Sequence, residues 1–518
     1  MKYIYSLLLL FILSVTPSKA QNECETLDRI PLPVAIERIM NLPRIAPPPD
    51  DQGVEPNHID RIVFWIHGLG GTEQSWAPAA NASVNPSTGI SDYPARKIIS
   101  SLPDYTGAQN VNLDAAARKV QEQLNTTTNT VEASPDTPPD YERRNNFIIT
   151  HSQGGLVSRW LDMIYENENP VDKTFGGIVT FGTSHGGAAI LDNEQLVFDL
   201  GADLCKAIGE PAVLEVLDGT PILNIFLAGE TISNFVNNTC DFLGNNGLPL
   251  LLAGQNQNIT NDYHPGAAAL TTLKNHDEND NGVLNKVAFY GVEQEPVIWR
   301  LLNGLFNKPE EEPAFGANDD GNIQDWAIEE QQKARMKASE WSLIARKRGK
   351  NAERLCVLPF FIPNPVSVAA CLLQRNRYND AVQLQESWRN ALQFWLSAND
   401  KYKIAIGALT FEEKIVQNCD CTGAITGGGT YQYTIPGPCP EGLTSCQTVN
   451  VLQRIPNDEP SDGVVTVSSA TDYPNAKIGL EMTGSNHQQM RNDENTKRRL
   501  RELWEGEHGD FFSTKIKQ

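Results

Sequence analysis

Residues 145–160 read NNFIITHSQGGLVSRW. Four strand-forming residues, Phe147, Ile148, Ile149 and Thr150, run into His151-Ser152-Gln153-Gly154-Gly155, and the chain then switches to helical spacing. A polar residue wedged between a buried strand and a buried helix needs a reason. A tight strand-to-helix turn gives one, because it exposes the Ser152 hydroxyl as a candidate nucleophile. Serine is weak in that role unless a base stands beside it and a carboxylate orients the base. Gly154 and Gly155 stand where the helix has to pack close to the strand, and Thr150 where glycine is most frequent in such turns.

Working outward, residues 61–71 (RIVFWIHGLGG) form a buried strand entering a glycine turn, and helical patterns follow at 93–102 and 114–124. A polar loop then leads to the quoted strand, with strands at 176–187 (GGIVTFGTSHGG) and 286–293 (KVAFYGVE) beyond it. Strand-like 476–484 (AKIGLEMTG) and a helix at 488–504 close the chain. Strand, helix, strand with glycine-rich ends specifies an α/β fold, a mostly parallel sheet with helices on both faces. The rhythm breaks between 295 and 450, where helical patterns at 325–348 and 376–397 flank an apolar tip, CVLPFFIPNPVSVAACLL (356–373). A cysteine-framed β segment follows at 419–446. This stretch is expected as a large insertion before the last core strand, its tip a buried hairpin end rather than a segment dipping into lipid. The expected organisation is 1–20 signal peptide, 21–57 irregular, 58–294 core with a cap at about 190–260, 295–450 insertion, and 451–518 the rest of the core.

Residues 1–20 combine Lys2, an apolar LLLLFILSV and Ser18-Lys19-Ala20, the pattern of a cleaved secretory signal. No later segment has the unbroken apolar length of a membrane span, so the mature chain is expected to be exported, secreted or periplasmic. The net charge of −22 speaks against nucleic acid as a partner. Nine cysteines in an exported chain suggest disulfides: Cys205 with Cys240, Cys356 with Cys371, and two bridges among Cys419, Cys421, Cys439 and Cys446, leaving Cys24 odd. Zinc at Cys419 and Cys421 lacks a matching histidine cluster. DENDNG (277–282) opens like a calcium loop, but its twelfth position is Ala288, so a polar turn is the better reading.

Of eight histidines, His67 belongs to the first glycine turn, His151 adjoins Ser152 and is read as pointing away, and His185 sits in TSHGG. His58, His264 and His276 precede the last strands. His487 and His508 follow them, and His487, in the loop leaving the final strand, is the candidate base. The acid candidates are Glu293 and Glu295, at the end of KVAFYGVE, and Asp462 in PSDGVVTVSSA, where Asp-Gly also favours a plain turn. An oxyanion needs two backbone N–H donors, for which Gln153 and Leu69 of HGLGG are the candidates. No phosphate-loop spacing is present.

FWIHGLGGTEQSW, ITHSQGGLVSRW, VTFGTSHGG and SDGVVTVSSA with GSNHQQM together resemble the secreted lipases and esterases of the α/β-hydrolase superfamily. The likeness is nearest to bacterial triacylglycerol lipases and the GPI inositol-deacylase-like group. It covers about half the chain, 58–190, 262–293 and 456–490. It implies a catalytic triad of Ser152, Asp462 and His487, and it is what favours Asp462 over Glu293. It implies an oxyanion hole of Leu69 and Gln153, and a serine carboxylic-ester hydrolase acting through an acyl-enzyme. The implied substrate is a lipid or other ester, with transient contact at a lipid interface; no cofactor or metal is expected. An acyltransferase would use the same residues, and a non-catalytic binding protein of this fold is the alternative from another class.

Overall fold

The computed structural model describes residues 59–84, 97–218, 258–280, 284–293, 315, 321–361, 365–425 and 428–514. The signal-like segment, Cys24, Cys240, Glu295 and most of the cap expected near 190–260 lie outside the described residues.

The elements run β1 (Ile59–Ile66), α1 (Ala77–Ser83), β2 (Lys97–Ser101), α2 (Leu113–Glu132), β3 (Phe147–His151), α3 (Gln153–Glu168), β4 (Gly177–Phe181) and α4 (Glu194–Asp218). Then come α5 (Ala268–Asn279), β5 (Asn285–Phe289), β6 (Gly291–Val292), α6 (Gly321–Phe361), α7 (Pro365–Ala405), β7 (Leu409–Ile425), β8 (Gly429–Pro436) and β9 (Cys446–Asp458). Last are α8 (Val467–Thr471), β10 (Lys477–Ile478), β11 (Met482–Thr483) and α9 (Glu494–Glu505).

Six strands form a parallel sheet in the order β10-β5-β4-β3-β1-β2. Alternation along each strand feeds two cores. Ile62, Phe64, Ile66, Ile148 and Ile178 pack on one face with Val120 and Leu124 of α2 and Leu156 and Leu161 of α3. Val63, Trp65, Phe147, Val179 and Phe289 pack on the other with Ala79 of α1 and Leu500 and Trp504 of α9. Each such side chain contributes about 1.5–3 kcal/mol by leaving water, so the sheet is anchored on both sides. Strand order reverses beside β1, with β2 on one flank and β3 on the other, and the crevice at that reversal is where open α/β sheets place their chemistry.

Three expectations are corrected. Residues 97–101, read as part of a helix, form the edge strand β2, where β-branched Ile98 and Ile99 suit the pleat. Helix α2 overruns its expected end by eight residues, because Thr126 and Thr130 bond back to carbonyls one turn earlier while Thr128 and Val131 are buried. The last strand is two short pieces, β10 on β5 and β11 on β6, interrupted at Gly479, where any Cβ would run into the Phe289 ring.

The insertion is a hairpin of two 41-residue helices followed by an antiparallel sheet. Ala334, Ala338, Trp341 and Ala345 face Ala381, Leu384, Trp388, Ala391 and Ala398 at heptad spacing, an antiparallel coiled-coil seam onto which Val197, Leu200 and Leu204 of α4 pack. The end of the hairpin, expected to be buried, exposes Val366, Leu372 and Leu373. The sheet β8-β7-β9 leaves most of both faces to solvent, and Leu409, Cys419 and Cys421 are its buried exceptions. Disulfides join Cys356–Cys371, Cys419–Cys439 and Cys421–Cys446. A sheet with so little core gains from cross-links, each worth about 2–4 kcal/mol.

Under the site a buried ionic cluster ties four elements together. Asp277 of α5 accepts from Arg159 of α3 at 2.7 Å and from Lys286 of β5 at 2.9 Å. The sequence motif that resembled a calcium loop therefore begins at a structural carboxylate. Arg159 also faces His185 Nδ1 at 3.1 Å, and His185 Nε2 lies 3.1 Å from Thr180 Oγ1. An Arg neighbour only donates, so His185 is neutral with its proton on Nε2. Burial, then the charges of Arg159 and Lys286, hold it well below the usual imidazole range.

Asp277→Asn takes the carboxylate from buried Arg159 and leaves Lys286 with Asp280 at 2.8 Å, and a loss of about 3 kcal/mol is expected, readable in urea unfolding. The His185 effect has a definite sign. The unfolded imidazole takes a proton as pH falls below its ordinary 6.5, while the folded one refuses it. Stability is full above that value and falls below it, by up to about 1.4 kcal/mol per pH unit, until the folded group titrates. Unfolding midpoints measured from pH 7.5 to 5 are expected to fall less steeply for His185→Gln.

Candidate functional site

Ser152 sits between β3 and α3 at φ 54°, ψ −129°. A non-glycine residue there costs about 1–3 kcal/mol and persists only where its surroundings enforce it. The enforcement is close packing of the turn after β1. A Cβ on Gly68 would stand 2.9 Å from the Ser152 Cβ, and one on Gly154 would fall on the His67 carbonyl oxygen. Glycine at both positions lets the two turns meet, which is the meaning of the small residues read in the sequence.

His487 Nε2 lies 2.9 Å from Ser152 Oγ, and its Nδ1 lies 2.7 Å from Asp462 Oδ2. Asp462 and His487 are buried while Ser152 is partly exposed. The imidazole is held from both sides by backbone bonds. The His487 N–H donates to the Asp462 carbonyl at 2.7 Å, and the His487 carbonyl accepts from His151 Nε2 at 2.7 Å. His151 was expected to point away from the site; it braces His487 instead, its buried ring lying 4.7 Å from the His487 ring.

Asp462 divides its two oxygens. Oδ1 accepts from the N–H groups of Val464 and Val465 at 2.9 and 2.7 Å, closing the Asp-Gly turn, while Oδ2 faces the imidazole. The turn and the contact to the imidazole, which the sequence posed as rivals, are made by the two oxygens of one carboxylate. Glu293 contributes to the acid loop through its backbone, its N–H donating to the Ser461 carbonyl at 2.8 Å. His508, the other candidate base, is engaged elsewhere, with Nε2 3.1 Å from Glu502.

Leu69 lies in the turn that packs on the elbow, closed by the Gly71 N–H donating to the Gly68 carbonyl at 3.1 Å. Gln153 is the first residue of α3, so its N–H is among those a helix leaves unbonded. Its side chain belongs to a buried network that the sequence reading missed. The Tyr105 hydroxyl lies 2.8 Å from the His67 carbonyl and 3.1 Å from one end of the Gln153 amide, whose other end lies 3.1 Å from the Tyr263 hydroxyl. The Tyr105 hydroxyl has one proton, and the carbonyl can only accept it. That proton is shared between the His67 carbonyl and Gln153 Oε1, while the Gln153 Nε2–H donates to the Tyr263 hydroxyl. The Tyr105 ring also stacks on His67 at 4.3 Å. Burial pushes His67 below its ordinary range, against the opposing pull of the Gly68 carbonyl and Asp104. No local motif announces Tyr105 or Tyr263, which reach Gln153 from 48 and 110 residues away.

Beside the Asp462 loop lies a cleft of about 620 Å³ lined by Gly186, Gly187, Pro265, Val464, Thr466 and Ser469, among others. Cys419, Cys421 and Cys446, close enough together to suggest a metal, are in disulfides.

No family model and no curated protein matches the chain. Among solved structures it is similar to phospholipase PlaB from Legionella pneumophila, at 12% identity over 45% of this chain and 39% of that one, with a TM-score of 0.28. It is similar to the mature Bacillus licheniformis lipase BlEst2, at 13% over 49% and 76%, TM-score 0.27. It is likewise similar to the peroxisomal alpha-beta-hydrolase Lpx1 from Saccharomyces cerevisiae, at 14% over 45% and 63%, TM-score 0.27. The chain thus spans about two fifths of the length of PlaB.

Tyr105→Phe keeps the ring on His67 and removes the hydroxyl, leaving a buried carbonyl and a buried amide each short of a partner. The expected cost is about 1–3 kcal/mol, with unchanged far-ultraviolet dichroism, measured by denaturant unfolding. A variant as stable as the parent would show that the hydroxyl joins nothing.

Proposed function

We propose that this protein is a serine carboxylic-ester hydrolase of the lipase or esterase type, working through an acyl-enzyme on Ser152. The observation that supports it most directly is the continuous path from Ser152 Oγ to His487 Nε2 at 2.9 Å and from His487 Nδ1 to Asp462 at 2.7 Å. His487 takes the hydroxyl proton as Oγ attacks the ester carbonyl, and Asp462 keeps the Nδ1 proton oriented and stabilises the imidazolium. The carbonyl oxygen becomes an oxyanion in reach of the Gln153 and Leu69 N–H groups, the first of them at the positive end of α3. As the tetrahedral species collapses, His487 returns the proton to the leaving alkoxide. Water then gives a proton to His487 and attacks the acyl carbon, and the acid leaves as Ser152 recovers its hydrogen. The steps use only groups of this chain.

Export to an oxidising compartment is part of the same proposal. The signal-like first twenty residues and the three disulfides support it.

The test is hydrolysis of p-nitrophenyl esters from acetate to palmitate, together with covalent labelling by a fluorophosphonate. Ser152→Ala is expected to abolish labelling and lower kcat by about 10⁴-fold or more, and Asp462→Asn by a similar order. Equal turnover by the parent and Ser152→Ala would sink the proposal.

A further inference from the structure

Residues 356–373 are eighteen positions without a charged side chain. Those described near the start of α7 face solvent: Val366 is 73% exposed, Leu372 55% and Leu373 52%. The Cys356–Cys371 bridge ties the two helices where this apolar end begins. Immediately below it stand Arg346, Lys347, Arg348, Lys350 and Arg354 on α6, and Arg375 and Arg377 on α7. Between 346 and 377 the one acid is Glu353, so the collar carries +6 in a chain of −22. All of these cations are exposed except Arg348, which is half-buried, lies over Trp341 at 5.6 Å and donates to the Arg377 carbonyl at 3.0 Å. The nearest acids beyond the collar are Glu340, which faces Lys337 at 3.4 Å, and the half-buried Asp380.

An apolar end with a basic collar is complementary to one kind of surface, a hydrocarbon boundary beneath anionic headgroups. Long cationic side chains place their stems against the apolar layer and their heads at phosphate level. The acidic body does not oppose this. A 41-residue helix extends about 60 Å, several times the screening length of about 10 Å at 0.1 M salt. Among the described residues no helix is long and apolar enough to cross a membrane, so the tip would lie in the interface and not span it.

We infer that the exposed apolar start of α7, with Val366, Val368, Leu372 and Leu373, together with the basic side chains beside it, is a docking element for anionic lipid surfaces. This goes beyond the hydrolase reading and is independent of it, because docking is measured without turnover.

The experiment is co-sedimentation of the full-length Ser152→Ala protein with vesicles of phosphatidylcholine alone and of equimolar phosphatidylcholine and phosphatidylglycerol, at low and high salt. Binding is expected to the anionic vesicles, to weaken with salt, and to fall about tenfold or more in Leu372→Glu/Leu373→Glu and again in Arg375→Gln/Arg377→Gln. These side chains are exposed, so unchanged melting and elution would show that the fold is intact. Absent binding, equal binding to both vesicle types, or binding indifferent to both double variants overturns the proposal. So does a result in which the leucine pair only dissolves a self-associated species, because the occupant is then a second copy of the chain. An inactive parent enzyme alongside salt-sensitive docking would remove the hydrolase reading and leave this one standing.

Discussion

The backbone of Ser152, held at φ 54° against its own preference, is the constraint on which the site depends. No single bond keeps it there. The β1 turn presses on the elbow with no Cβ at Gly68, helix α3 starts against the His67 carbonyl with no Cβ at Gly154, and both strands are pinned in the middle of a sheet with a core on each face. The few kcal/mol stored in the turn are small beside the burial that surrounds it. The same packing brings the Leu69 turn beside the first N–H of α3, so the shape that strains the serine also gathers the two proposed oxyanion donors.

The imidazole is positioned by different means. His487 sits in a loop, and loops lack the rigidity of a strand end. Its main chain is therefore bonded on both sides, to the Asp462 carbonyl and to the His151 ring, before its side chain makes any contact. Asp462 is fixed in turn by its own turn and by the Glu293 N–H. The Tyr402 hydroxyl, from the end of α7, donates to the Gly463 carbonyl at 2.9 Å, so the insertion is attached to the acid loop itself. Lys403 bonds Asp458 close by at 2.7 Å. The hairpin is thus a structural continuation of the proposed catalytic loop.

What the sequence made legible follows from range. The elbow and the β1 turn are local signals, and the sheet can be traced from them because apolar strands with glycine-rich ends have few other arrangements. Asp462 was harder: an Asp-Gly turn and an imidazole partner look alike in one dimension, and His487 is needed to see that each oxygen has its own contact. Residues 97–101 are ambiguous by nature, a short apolar run that an edge strand and a helix end fit equally well, and only the neighbouring β1 decides it. Tyr105, Tyr263, Arg159 and Lys286 were invisible because a buried polar residue looks like a surface one until its partner is known. The exposed start of α7 was misread for the converse reason: apolar runs are usually core, and no local feature says that Val366, Leu372 and Leu373 face solvent among the described residues.

The charge distribution gives the insertion a physical rationale. A body this acidic is repelled by an anionic surface at short range, and scattering cations over it would only neutralise them among neighbouring carboxylates. Concentrating them on an arm longer than the screening length separates the two fields, provided the arm is stiff. The alanine- and tryptophan-lined seam supplies stiffness by letting α6 and α7 approach closely along their length, and α4 buttresses it from the core side. A flexible linker with the same charges would fold back onto the acidic body. With the base of α7 bonded to the loop that carries Asp462, an arm docked at its tip would fix the distance and tilt of the Ser152 crevice relative to the lipid surface, which a tether of equal length without helical structure would not do.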